Sequence, residues 1–165
     1  MVRLEPVTGD PAQLKEAYGC FPSGVTALCA RDGAEPVGMA ASAFTCVSIE
    51  PGLVSVCLRN SSSTWPRLRR VRRLGVSVLA EHHNDACRAL SLKTGDRFAG
   101  VDWSSGASGA VFVQGAVAWL ECSVEKELPA GDHTIALLAV HALRVDPARR
   151  PLIFHGSRFR QLLAA

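Results

Sequence analysis

GAVAWLECSVEKELPAGDHTIALLAVHALRV (115–145) decides the fold class. Ala116, Ala118, Leu120 and Cys122 recur at every second position in its first half. Ile135, Leu137, Ala139, His141 and Leu143 do so in its second half. A period of two puts each set on one face of an extended strand. Two long strands are therefore expected, at about 115–125 and 133–145.

Upstream, Val25–Ala30 reads as a strand, Arg31–Ala34 as a turn, and a second strand begins near Pro36. Residues 44–50 and 53–59 read as two more strands around the Pro51-Gly52 turn. Val76 and Val78 alternate in another. Helices are few. Pro11–Tyr18 has Asp10 as an N-cap and Pro11 in the first turn. Pro66 opens a basic helix that runs to Arg73, and residues 84–93 read as a third helix. Residues 95–114 carry four glycines and read as loop. The expected fold is mainly β with a few short helices, an antiparallel barrel or sandwich. Neither a repeat nor a linker interrupts the chain, so one domain over 1–165 is expected, with 1–20 as a helical lead-in.

The chain has 165 residues, 48% of them apolar and 20% charged, which supports a packed core. A net charge of +3 is too small for a dedicated nucleic-acid binder. The basic residues are 15 Arg and 3 Lys. The N-terminus shows no secretory pattern, and no apolar run is long enough to span a membrane, so a cytoplasmic location is expected. Cys20, Cys29, Cys46, Cys57, Cys87 and Cys122 form no C-x-x-C pair and have no His at zinc-ligand spacing. They read as reduced thiols, and no metal site is expected.

Several segments have the residue types for chemistry. The polar cluster Asn60–Thr64 places four hydroxyls, Ser61 to Thr64, in succession before Trp65-Pro66, more than one N-cap requires. With the free N–H groups of a helix start, they suit a phosphate. An ordinary cap is the alternative. Ala40, Ala41, Ser42 and Ala43 are small enough for a planar ligand to approach the backbone, or for a strand to pack tightly. Arg67, Arg69, Arg70, Arg72 and Arg73 cannot share one helix face, and most read as solvated. His82 and His83 read as surface residues. His133 follows Gly131-Asp132 at a strand start, where a side chain can point into a cleft. His155, Arg158 and Phe159 stand in an otherwise aliphatic C-terminal tail. No dinucleotide fingerprint or P-loop is present. No hydrolytic triad can be assigned from spacing.

Four segments taken in order carry more than any one of them: GMAASAFTCVSIEP (38–51), RFAGVDW (97–103), GDHTI (131–135) and PLIFHGSRFRQL (151–162). Together they resemble the flavin reductase domain of two-component flavin-dependent monooxygenases. The resemblance extends from about Phe21 to Leu162. It implies an FMN-binding split β-barrel working as a homodimer. It implies an NAD(P)H:flavin oxidoreductase (EC 1.5.1 type) that uses NADH or NADPH, reduces FAD or FMN, and releases the reduced flavin to a separate monooxygenase. A role in making an antibiotic or other secondary metabolite is part of that expectation. Ala41, Ser42, Thr45, Cys46 and Ser48 match the isoalloxazine side of the site, and Ser62 and Thr64 the phosphate side. Arg97 and Phe98 match the loop that closes over it. His133 matches a residue near the nicotinamide, the catalytic candidate. His155, Arg158 and Phe159 match the C-terminal segment near the nucleotide.

The chain departs from the family pattern twice. Phe159 stands where Tyr is common, and Ala136-Leu137-Leu138 where an aromatic and a Gly often follow GDHTI. Two alternatives accompany the reductase reading. One is a split-barrel oxidase that holds its flavin tightly. The other is a non-enzymatic module that binds nucleic acid or protein through the basic 67–73 helix.

Overall fold

Thr26-Ala27-Leu28-Cys29-Ala30 is buried at every position, on both faces of its strand. A strand apolar on two sides needs a layer on each, and the computed structural model, which describes residues 2–162, provides both. Leu28 and Ala30 face a cluster with Val56, Leu58, Leu74, Val76, Ala136 and Leu138. Val25, Ala27 and Cys29 face a second cluster with Leu79, Leu90, Val111, Val113 and Leu152.

The elements in chain order are α1 (Pro11–Gly19), β1 (Ser23–Gly24), β2 (Thr26–Asp32), β3 (Glu35–Ala41), β4 (Phe44–Ser48) and β5 (Leu53–Arg59). Next come α2 (Trp65–Leu68), β6 (Leu74–Val78), α3 (Asn84–Leu90), β7 (Trp103–Ser105) and β8 (Val111–Val113). The chain continues with β9 (Ala118–Ala130), β10 (His133–Val145), β11 (Ile153–His155) and β12 (Arg158–Arg160). Every pairing is antiparallel.

Seven strands form one sheet in the order β3-β2-β6-β9-β10-β5-β4. Its two edge strands, β3 and β4, are consecutive in the chain and joined only by Ser42 and Ala43. A two-residue link spans less than ~11 Å. The sheet must therefore curl until its edges are neighbours, although no ladder closes them. The result is an antiparallel barrel left open along the β3/β4 seam, as the mainly-β, split-barrel expectation has it.

Several local expectations change. The strand read at 115–125 runs from Ala118 to Ala130. It starts later because Gly115 turns the chain at φ +75°, and ends later because residues 126–130 pair with 133–137. In β10 the core face is Ala136, Leu138 and Val140, not the Ile135 set. Residues 135–140 are apolar on both faces, so period two could not choose between them.

The basic helix to Arg73 is only the four-residue α2. Beyond Leu68 the N–H groups of Arg70 and Val71 bond three residues back, in turns that lead into β6. The third helix ends at Leu90 rather than 93, closed by the Ser91 hydroxyl bonding the Cys87 carbonyl at 2.7 Å. The 95–114 loop contains the small β7/β8 hairpin. The C-terminal tail is the β11/β12 hairpin, turned by Gly156 and Ser157 at positive φ.

His83 is buried rather than exposed. Its Nδ1 accepts from the Ala80 N–H at 3.0 Å, so Nε2 carries the hydrogen and donates to the Gln114 carbonyl at 2.8 Å. All six cysteines are free. Burial pushes the Cys29 and Cys122 thiols up to about 12, where they are inert as nucleophiles at neutral pH.

Candidate active site

The β3/β4 seam opens into a cleft of about 910 Å³. One wall is Met39 to Ala43, the end of edge strand β3 and its link to β4. An edge strand leaves every second pair of backbone N–H and C=O groups unpaired, and the small side chains here do not cover them. The opposite wall is Cys57, Leu58 and Arg59 from β5, with Ser61, Ser62 and Ser63 beyond it. Arg97, Lys93 and His133 complete the rim. Ala41, Ser42, Ser62, Arg97 and His133 of the expected site thus meet around one space.

Asn60 holds the two polar motifs together. Its N–H donates to the Asp132 carbonyl at 3.0 Å and its Nδ2 to the Gly131 carbonyl at 3.2 Å. Its Oδ1 accepts from Thr134 Oγ1 at 2.8 Å. The Gly131-Asp132 turn is thereby fixed against the start of the serine loop, and His133 stands opposite Arg59 in the β5/β10 ladder. His133 Nδ1 donates to Asp132 Oδ1 at 2.7 Å, and this bond holds the Asp132 carboxyl below the usual carboxylate range. The imidazole is 34% exposed. With Nδ1 engaged, Nε2 remains for a ligand.

The serine loop differs from a helix-capping site. Ser62 Oγ accepts from the Trp65 N–H at 3.1 Å, a capping role. Thr64 is buried and makes no cap; its hydroxyl accepts from Arg97 Nη1. The same Nη1 donates to the Gly38 carbonyl at 3.2 Å. Arg97 therefore ties β3 to the serine loop across the cleft. A four-residue helix has little macrodipole, so anion affinity here comes from hydroxyls and from Arg59, Lys93 and Arg97.

Phe98 packs where a side chain on Gly38 would stand. A Cβ there would lie 2.9 Å from Phe98 Cζ and 2.5 Å from Cys29 Sγ. The ring also meets Trp103 edge-on, with centroids 6.0 Å apart.

Not every expected residue joins the cleft. Thr45 and Cys46 are exposed on β4, and Ser48 sits half-buried past a bulge opposite Leu53. Phe159 lines a smaller hollow of about 290 Å³ that shares Ala40, Ala41, Ser42 and Ser91 with the main cleft. Arg158 and Phe159 line a further outer hollow of about 480 Å³. His155 is half-buried in β11, paired across the hairpin with Arg158. Sequence reasoning missed Met39, Cys57, Arg59 and Lys93. Arg59 adjoins the hydroxyl run and was findable as its first cation. Lys93 was hidden inside a helix expected to extend too far.

The family described as "Flavin reductase like domain" matches residues 18–163. An NADH-dependent FAD reductase from Streptomyces globisporus is 40% identical over 160 residues, covering 92% of this chain and 86% of that protein. A Streptomyces coelicolor protein described as an actinorhodin polyketide dimerase is 37% identical over 160 residues, covering 96% and 90%. The solved structure of the Streptomyces globisporus C-1027 NADH:FAD oxidoreductase in complex with NAD and FAD fragments superposes with a TM-score of 0.91. That match has 38% identity and covers 98% of each chain.

Proposed function

Because the chain belongs to the flavin reductase like domain family, we propose that it is an NAD(P)H:flavin oxidoreductase that releases reduced flavin to a separate monooxygenase. The observation that carries this reading is the convergence of a small-residue edge strand, a hydroxyl loop, Arg97 and His133 on one cleft of about 910 Å³. A cleft of that size suits a flavin nucleotide. The hydride passes between the two bound nucleotides, and the protein supplies no atom to it.

The residues of the chain bind and orient. The exposed backbone edge of Ala40–Ser42 offers donors and acceptors to the polar rim of a planar ring. Ser62, Arg59 and Arg97 hold the phosphate side, and Thr64 fixes Arg97 there. His133, oriented by Asp132, positions the nicotinamide or stabilises developing negative charge through Nε2. It needs no proton transfer to do so. Phe98 and Arg97 keep the loop closed over the site, and Phe159 and Arg158 border the path along which the second nucleotide enters. Thr45, Cys46, Ser48 and His155 have weaker support, since none lines these clefts.

NADH as donor, FAD as acceptor and a place in secondary metabolism are supported by the Streptomyces relatives, an NADH-dependent FAD reductase and an actinorhodin polyketide dimerase. A homodimer is supported by what the single chain leaves exposed. Helix α1 buries none of its residues, Tyr18 and Phe21 are 70% and 79% exposed, and Leu128, Leu143 and Val145 on β9 and β10 are exposed. We read residues 1–165 as one domain, since β2 belongs to both apolar clusters, and as a cytoplasmic enzyme. Among the described residues no helix is long and apolar enough to cross a membrane.

The basic segment gives little to a nucleic-acid role. Arg67, Arg69 and Arg73 pair with Asp32, Glu127 and Glu121 at 2.7, 2.9 and 3.6 Å. Gel filtration after mixing with FAD tests the remaining alternative. A diffusible-flavin reductase emerges largely free of flavin. Stoichiometric co-elution would replace this reading with that of an oxidase holding its own flavin.

A further inference from the structure

Met39 stands at the boundary between the core and the cleft. It is half-buried on β3, opposite Leu28, and packs against the apolar cluster that includes Leu28, Val56 and Leu58. It also lines the cleft of about 910 Å³. There the Ser62 hydroxyl donates to its Sδ at 3.8 Å, while Ser62 Oγ accepts from the Trp65 N–H at 3.1 Å. The thioether is therefore one of two groups that fix the direction of this hydroxyl. A thioether is polarisable, accepts hydrogen bonds weakly and needs no ionisation to react as a nucleophile.

We propose that Met39 is an oxidation site through which peroxide made at this cleft weakens flavin binding. The proposal rests on the flavin reductase reading. Reduced flavin that meets dioxygen before a partner oxygenase gives oxidised flavin and hydrogen peroxide. The Met39 sulfur takes one peroxide oxygen, the O–O bond breaks, and the departing hydroxide leaves as water with the proton of the transferred oxygen. Thioether and peroxide thus become sulfoxide and water, the sulfur losing the two electrons that the peroxide gains.

The position of Met39 decides what the sulfoxide does. A polar oxygen held against the Val56 and Leu58 side would be desolvated without a partner. It turns instead into the cleft, toward the Ser62 hydroxyl already beside the sulfur. It then takes the hydrogen that Ser62 would offer to a flavin phosphate and narrows the space between β3 and the serine loop. An oxidised molecule binds flavin less tightly, reduces less of it and makes less peroxide. The brake engages when reduction outruns consumption by the oxygenase. Cys57 lines the same cleft, and Cys20 and Cys46 are exposed, so thiol oxidation is the competing account that the test must separate.

The purified protein is treated with hydrogen peroxide and, separately, turned over in air with NADH and FAD. Peptide mass spectrometry reads oxygen added at Met39, and titration reads the FAD dissociation constant before and after. One added oxygen at Met39 and a constant raised about fivefold, the scale of one misplaced hydrogen bond, are expected in both arms. Methionine sulfoxide reductases with a thiol reductant should restore the constant, and the thiol alone should not. In Met39→Leu, which keeps the volume and removes the sulfur, peroxide should leave the constant where it was. The wild-type arms stand whether or not that variant folds. Met39 unmodified under peroxide that oxidises added free methionine, a Met39 sulfoxide with the constant unmoved, or recovery by thiol alone would overturn the proposal. So would an equal loss in Met39→Leu, which would assign the effect to a cysteine. If NADH is consumed with FAD in air while Met39 stays unoxidised, this proposal fails and the reductase reading survives. If FAD neither binds nor supports NADH oxidation, both fail.

Discussion

Thr134 Oγ1 donates to Asn60 Oδ1 at 2.8 Å, and this bond joins two motifs that lie 74 residues apart. One motif supplies the phosphate side of the cleft and the other supplies His133. The Asn60 side chain also donates to the Gly131 carbonyl, so with the β5/β10 ladder it helps to fix the distance between phosphate and nicotinamide sides. Asn60→Ala should cost about 1 kcal/mol in stability by loss of exposed hydrogen bonds. The larger effect should be on catalysis, since small misplacements of two reacting rings are expensive. Denaturant melts and kcat/KM checked together separate the two, and an unchanged kcat/KM would remove Asn60 from the positioning role.

His133→Ala should impair NAD(P)H oxidation and leave the thermal midpoint within a few degrees. The imidazole is about one-third exposed and bonds only Asp132 among the described residues, so little packing is lost. Unchanged kcat and KM at saturating flavin would take His133 out of the site.

Ser62→Ala with Thr64→Ala should raise the flavin dissociation constant. Thr64 also anchors Arg97, so the double variant loosens the cation as well as removing hydroxyls. Equilibrium titration of the flavin checks this, and an unaltered constant would refute the phosphate assignment.

Gly38→Ala should destabilise by about 1–3 kcal/mol through overpacking. Its Cβ would meet Cys29 Sγ at 2.5 Å and the Leu28 carbonyl at 3.1 Å, both immobile, and Phe98 Cζ at 2.9 Å. The side chain able to give way is Phe98, so loss of flavin affinity should accompany the lower midpoint.

Stability should fall as pH drops below about 6.5. Burial, then the neighbouring His82, holds the His83 pKa below its usual value of 6.5. The folded state therefore binds fewer protons than the unfolded state in this window, and acid favours unfolding. The contribution is fully present above 6.5 and is lost progressively as pH falls toward the folded pKa. Thermal midpoints at pH 7.5, 6.5 and 5.5 show it. In His83→Gln this component of the decline should vanish, although the variant is less stable throughout.

The mainly-β fold was legible because β9 and β10 alternate and because turn residues mark most strand ends. The face of β10 was not, since Ile135 to Val140 is apolar on both sides. Helix α2 was overextended because Arg67–Arg73 has helix-compatible composition, while tertiary partners decide the backbone there. Glu127 receives Trp65 Nε1 at 2.7 Å and Arg69 at 2.9 Å. The serine loop and the GDHTI turn were each visible, but their meeting was not, because Asn60 reads only as the head of the polar cluster and its partners lie more than 70 residues away. His83 was read as a surface residue since nothing local announces a partner as distant as Gln114.

The central claim is tested most directly by NADH consumption by the purified protein with no added flavin, with FMN and with FAD. Turnover that depends on added flavin, faster with FAD than with FMN, is the predicted result. No oxidation under any of the three conditions, or oxidation indifferent to added flavin, would contradict a diffusible-flavin reductase.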